Sequence, residues 1–170
     1  MKISSIQLKL FLVFVTALAV YESARAHDLL QVSVDVWKTE EGIKLQVVQA
    51  SRSALWGCLE ETGGRTVLGP RQFDKVKAPF EECFSEYFQV LDSGGDELSA
   101  KTVSARLTRE GHVEVILDYE TSNSPCVLEA VFFDRFKEGI ETRAIVSIWD
   151  GQKIVSRKWL LRDDASFAID

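Results

Sequence analysis

Strict alternation of apolar and polar residues most constrains what this chain can become. Val32, Val34 and Val36 are separated by Ser33 and Asp35 and followed by Trp37. Successive strand side chains point to opposite faces, so this spacing sends the valines one way and Ser33, Asp35 and Trp37 the other. A turn at Glu40-Glu41-Gly42 leads into a second β-like run over 43–50, predicting a hairpin. Residues 98–108 and 112–120 flank Arg109-Glu110-Gly111 and predict another, with Val113, Val115 and Leu117 in alternation. A third joins 142–149 to 152–161 through Asp150-Gly151, a pair favoured in tight type I′ turns. Shorter strands are predicted over 87–91, 126–133 and 165–169.

The middle of the chain reads differently. Gly63, Gly64, Gly69 and Pro70 mark a loop, and 79–86 reads as a short helix, with proline first, acidic residues in its first turn and Phe80, Cys83 and Phe84 packed inward. Seven to nine short strands in one domain predict an all-β fold, an antiparallel immunoglobulin-like β-sandwich with one short helix.

The amino terminus carries the marks of export. Lys2 and Lys9 precede an apolar run from 10 to 20, and small residues Ala24 and Ala26 come just before His27. This is the pattern of a secretory signal peptide cut after Ala26. The run is too short for a membrane helix, which takes about 20 residues. Residues 1–26 are therefore predicted to be a signal peptide and 27–170 one β-sandwich domain. No stable membrane insertion is expected after cleavage, and the location is periplasmic or extracellular. The whole chain has a formal charge of −6, and the leader removes Lys2, Lys9 and Arg25 against only Glu22. So acidic a product argues against nucleic acid and anionic lipid as partners, since both need a basic patch.

Cys58, Cys83 and Cys126 are an odd set, leaving at most one internal bridge. Cys58 with Cys83 is preferred, because Cys126 opens the apolar run Cys126-Val127-Leu128 that reads as a buried strand. Such a bridge would contribute about 3 kcal/mol. Three buried reduced thiols are the alternative. No C-x-x-C pair is present, which argues against structural zinc.

Three stretches, Tyr87-Phe88-Gln89-Val90-Leu91-Asp92-Ser93-Gly94-Gly95, Val113-Glu114-Val115-Ile116-Leu117-Asp118-Tyr119 and Val146-Ser147-Ile148-Trp149-Asp150-Gly151, carry a resemblance. With the Ala26-His27 start and its valine-rich strand, they resemble the extracytoplasmic β-sandwich region of HupE/UreJ-like proteins. The nickel or cobalt transport of that family belongs to its membrane part, which has no counterpart in these 170 residues. The resemblance implies a sandwich fold and an exported accessory role.

The sharpest chemical candidate is His27. As a first residue, its amine and Nδ1 would chelate Cu(II), and His112, the one other histidine, would complete a three-nitrogen site. Against this, His112 sits beside the Glu110-Gly111 turn, where a solvated histidine is unremarkable, and no Asp-x-His pair accompanies it. Asp92, Asp96 and Glu97 do not follow calcium-loop spacing and read as a solvated turn. Glu60-Glu61, Glu81-Glu82 and Asp163-Asp164 read as surface charge. Trp149 and Trp159, in the final hairpin, are expected to fill the core, with Trp56 the least predictable of the four tryptophans. Motifs for a nucleophile elbow, a phosphate loop or a zinc protease are absent from the sequence. The expectation is an exported, non-catalytic binding or accessory module with an envelope protein partner and no catalytic cofactor. A periplasmic Cu(II)-binding protein using His27 and His112 is the first alternative, and a copper-dependent oxygenase using the same ligands the second.

Overall fold

The structure, a computed structural model, describes residues 30–59, 69–121, 125–137 and 139–170. The predicted signal peptide, residues 1–26, and His27 lie outside these residues. Among the described residues, ten strands form two sheets around a common hydrophobic core. The larger sheet runs β5-β6-β2-β1-β8-β9, built from β1 (Gln31–Thr39), β2 (Gly42–Ala50), β5 (Ala100–Leu107), β6 (His112–Glu120), β8 (Arg143–Asp150) and β9 (Lys153–Leu160). The smaller runs β10-β7-β3-β4, from β3 (Phe88–Leu91), β4 (Glu97–Leu98), β7 (Cys126–Ala130) and β10 (Ser166–Ile169).

The alternation decides which side of the larger sheet is buried. Val32, Val34 and Val36 of β1 lie inside with Leu45 and Val47 of β2, Val113, Val115 and Leu117 of β6, and Ala144 and Val146 of β8. Each fully buried valine or leucine is worth about 1.5–3 kcal/mol, so this face is a principal source of stability. Tyr119 of β6 ties the sheets together, donating its hydroxyl to the Phe88 carbonyl at 3.2 Å.

Two departures from the sequence reading have clear causes. The sheet is not wholly antiparallel, because β1 pairs in parallel with β8, from Gln31 opposite Arg143 to Trp37 opposite Trp149. A hairpin forces β1 antiparallel to β2, but its other edge is free to take either polarity, and local pattern carries no information about that choice. The described residues also hold two α-helices rather than one: α1 (Ser51–Cys58) and α2 (Pro70–Ser85). Helix α2 begins not at Pro79 but at Pro70, where the Gly69 N–H donates to Gln72 Oε1 at 2.9 Å. Pro79 sits inside the helix, where tertiary burial of Phe73, Phe80 and Phe84 along one face outweighs the backbone bond it removes.

Those rings start an aromatic chain through the core: Phe80 meets Phe84 at 5.3 Å, Phe84 meets Tyr87 at 4.2 Å, and Tyr87 meets Phe132 at 6.1 Å. Phe132 lies on a 3-10 helix, Val131–Arg135, which cuts short the strand expected to reach residue 133. Arg162 caps that helix, donating to the carbonyls of Phe133 and Phe136. Cys58 at the end of α1 and Cys83 on α2 form a disulfide, with Cα atoms 5.6 Å apart. Cys126 is buried, its sulfur 3.8 Å from the Thr121 hydroxyl.

Candidate functional site

The outward side of the larger sheet divides into two unlike halves. Over β5, β6 and β2 its charges satisfy one another. Arg106 pairs with Glu114 at 2.7 Å, Thr102 donates to Asp118 at 2.7 Å, and Lys44 lies 3.7 Å from Asp118. A depression of about 300 Å³ beside Thr39, Lys44, Lys101, Asp118 and Glu120 is lined by the Thr102–Asp118 and Lys44–Asp118 pairs and by Lys101 with Glu120.

Over β1, β8 and β9 the same side is aromatic. Trp37 and Trp149, opposite each other in the β1–β8 register, stack with ring centroids 6.2 Å apart and planes 18° apart. The Trp149 indole donates to Asp35 Oδ1 at 2.6 Å. On β9, Trp159 lies opposite Ile145 and is 45% exposed, with the Arg143 guanidinium 5.1 Å from its ring centroid. Arg157 Nε donates to the Ser147 hydroxyl at 3.1 Å. Val155, in the β-bulge where the β8–β9 register shifts, is 54% exposed, and Leu161 is 45% exposed.

The expectation that Trp149 and Trp159 fill the core is therefore corrected. Phenylalanines from α2 and the 3-10 helix occupy the interior, and Ala144, Val146 and Ile148 are the inward residues of β8. Parity carries the signal: Trp149 follows Ile148 and therefore faces the opposite side. Trp56, on α1, is 41% exposed and meets Phe136 edge-on at 5.7 Å.

The two long edges of this sheet also differ. At the β5 edge, helix α2 lies alongside and Glu81 Oε1 accepts a hydrogen bond from the Ala105 backbone N–H at 2.7 Å. Glu81 is thus more than surface charge. At the other end, β9 has β8 on one side and, among the described residues, no strand on its other side.

His112 opens β6 on the outward side, half-buried, and its backbone N–H donates to Thr108 Oγ1 at 3.2 Å. Beside it, a hydrogen bond from its own backbone, another from Thr108 and the nearby His112 charge hold the Glu110 carboxyl below its usual range. Asp92 stabilises the Ser93–Gly95 turn by accepting from the Gly94 and Asp96 N–H groups at 2.8 and 3.0 Å. Among the described residues, no group of three or more His, Cys, Asp or Glu side chains is placed to hold a metal ion. Nor is any described helix long and apolar enough to cross a membrane. Glu60 and Glu61 lie outside the described residues.

No protein-family model matches the chain, and no curated protein is significantly similar to it.

Proposed function

We propose that this protein is an exported, non-catalytic binding module, and that it engages a partner in the cell envelope through the β1-β8-β9 face. The signal-peptide pattern of residues 1–26 supports export. The observation that carries binding is the exposure of Trp159, Val155 and Leu161 on or just after β9, in the same half of the sheet as the stacked Trp37–Trp149 pair. Exposed apolar surface mixed with arginine is characteristic of interaction sites, where tryptophan and arginine supply much of the binding energy. The paired charges of the other half make it a solvated counterpart.

The test is the size of the native species in envelope extracts. Wild-type chain is expected to migrate in a complex larger than the mature monomer. Trp159→Ala combined with Arg157→Glu should release it as a monomer, while Lys101→Glu should not. A wild-type protein that runs as a monomer in gentle extracts sinks the proposal.

One observation favours a second reading, a Cu(II) site at His27 and His112. Val32 pairs with Gln49 and Ala50 pairs with His112, so β1 begins at the same end of the sheet as His112, two strands away. Two strand spacings are about 10 Å, and the four residue steps from His27 to Gln31 reach about 13 Å when extended. Cu(II) titration of protein starting at His27 tests this reading. Tight one-to-one binding, lost on adding one N-terminal glycine or on His112→Ala, would support it; equal weak binding by all three ends it.

A further inference from the structure

We infer that the open edge of β9 binds an acidic, extended polypeptide segment by strand addition. This rests on the binding reading above and names its partner's chemistry. Strand addition uses the outward N–H and C=O groups of an edge strand for affinity and the flanking side chains for selection. The sheet offers one long edge for this, because α2 and Glu81 cover β5 while β9 closes the order on the other side without a further described strand. The free edges of the smaller sheet are short, β4 with 2 residues and β10 with 4.

Charge selects the occupant. From Lys153 to Arg162 the chain carries Lys153, Arg157, Lys158 and Arg162 with no acidic residue, although the whole chain is −6. Lys158 and Arg162 are engaged within the protein, by Asp164 and by the carbonyls of Phe133 and Phe136. Lys153 and Arg157 are exposed along the strand. A second copy docking edge to edge through a two-fold axis would set this basic strand against itself, which like charges across strands disfavour. An acidic strand would place carboxylates on the outward face, opposite Arg157 and Trp159, which lie on the same side of β9 against Ser147 and Ile145 of β8.

Other occupants fit less well. A sugar stacks on open aromatic faces, but Trp37 and Trp149 stack on each other and Trp159 carries Arg143 on one face. An anionic bilayer would be approached by a molecule of net negative charge. The bulge at Val155 interrupts the register of β9, and Ser156 to Leu160 run in regular register with β8.

The experiment uses mature protein and soluble peptides of eight residues, the length of β9, with valine alternating with glutamate, serine or lysine. Binding is followed by tryptophan fluorescence and by residue-resolved amide exchange. The glutamate peptide should bind about ten-fold more tightly than the serine peptide, with the lysine peptide weakest. It should slow exchange in β9 and not in β5. Arg157→Glu, an exposed change, should weaken it, while Lys101→Glu should leave it unchanged. Equal binding of the three peptides, or protection confined to elements other than β9, overturns the inference. So does binding of anionic vesicles, of an oligosaccharide or of a second copy at Trp159 in place of the peptide. If the complex in envelope extracts persists while the peptides fail, the strand-addition inference alone falls; if both fail, the binding reading falls with it.

Discussion

Glu81 on α2 accepts a hydrogen bond from the Ala105 backbone N–H on β5 at 2.7 Å, so a helix carboxylate occupies a strand's place at the sheet edge. Lys77, one turn earlier, lies 3.7 Å from the same Glu81 oxygen and holds the carboxylate in position. Covering an edge in this way blocks indiscriminate pairing. Among the described residues, it leaves β9 as the long edge of this sheet without a neighbour on its outer side.

Removing that cap should be measurable. Glu81→Ala leaves the Ala105 N–H without its acceptor, and the expected loss is about 1–2 kcal/mol in urea unfolding. Amide exchange at Ala105 should accelerate selectively. A variant with wild-type stability and unchanged Ala105 exchange would show that the bond contributes nothing in solution.

Trp149 and Asp35 should be energetically coupled. Trp149→Phe keeps an aromatic ring beside Trp37 but removes the indole N–H that Asp35 accepts. A double-mutant cycle with Asp35→Ala should return a coupling of about 1 kcal/mol. Additive losses would mean that the bond is absent in solution.

Gly57 is required where it stands. A Cβ there would collide with the Tyr87 hydroxyl in the fully buried centre of the aromatic chain. Gly57→Ala should therefore destabilise by about 1–3 kcal/mol, read as a lower melting temperature, because a packed core resists overfilling. An unchanged melting temperature would contradict the packing described for Tyr87.

Alkaline pH should expose the same core. Tyr87 and Tyr119 are the two tyrosines among the described residues, and burial pushes both phenols well above their ordinary pKa of 10.0. The folded state therefore holds its phenolic protons more tightly than the unfolded state. Stability from this source is full below pH 10 and declines as pH rises toward the folded pKa values. Ultraviolet titration of protein starting at His27, which leaves out Tyr21, should show phenolate absorbance only well above pH 10, or on unfolding. Ordinary titration of two phenols near pH 10 in the folded protein would refute their burial.

Much of the frame was legible because alternation is a local signal. The β1–β2 and β5–β6 hairpins fall where Val32 to Val36 and Val113 to Leu117 place them. The final hairpin differs by one residue, since Asp150 pairs with Lys153 and the loop is Gly151-Gln152, with Gly151 at φ +57°. What escaped was non-local. The parallel partnership of β1 and β8 joins residues more than a hundred positions apart, and the true start of α2 depends on Gly69 and Gln72, upstream of the proline that suggested a start. The outward aromatic face was hidden by habit rather than by the chain: tryptophan is commonly a core residue, but here the parity of Trp149 beside Ile148 puts it outside.

The most direct measurement is photocrosslinking in living cells, with a photoreactive amino acid in place of Trp159 on β9 and, separately, of Ser104 on β5. The binding account predicts a discrete protein adduct from position 159, weakened by Arg157→Glu, and none from 104. Adducts at both positions alike, or at neither, would contradict it.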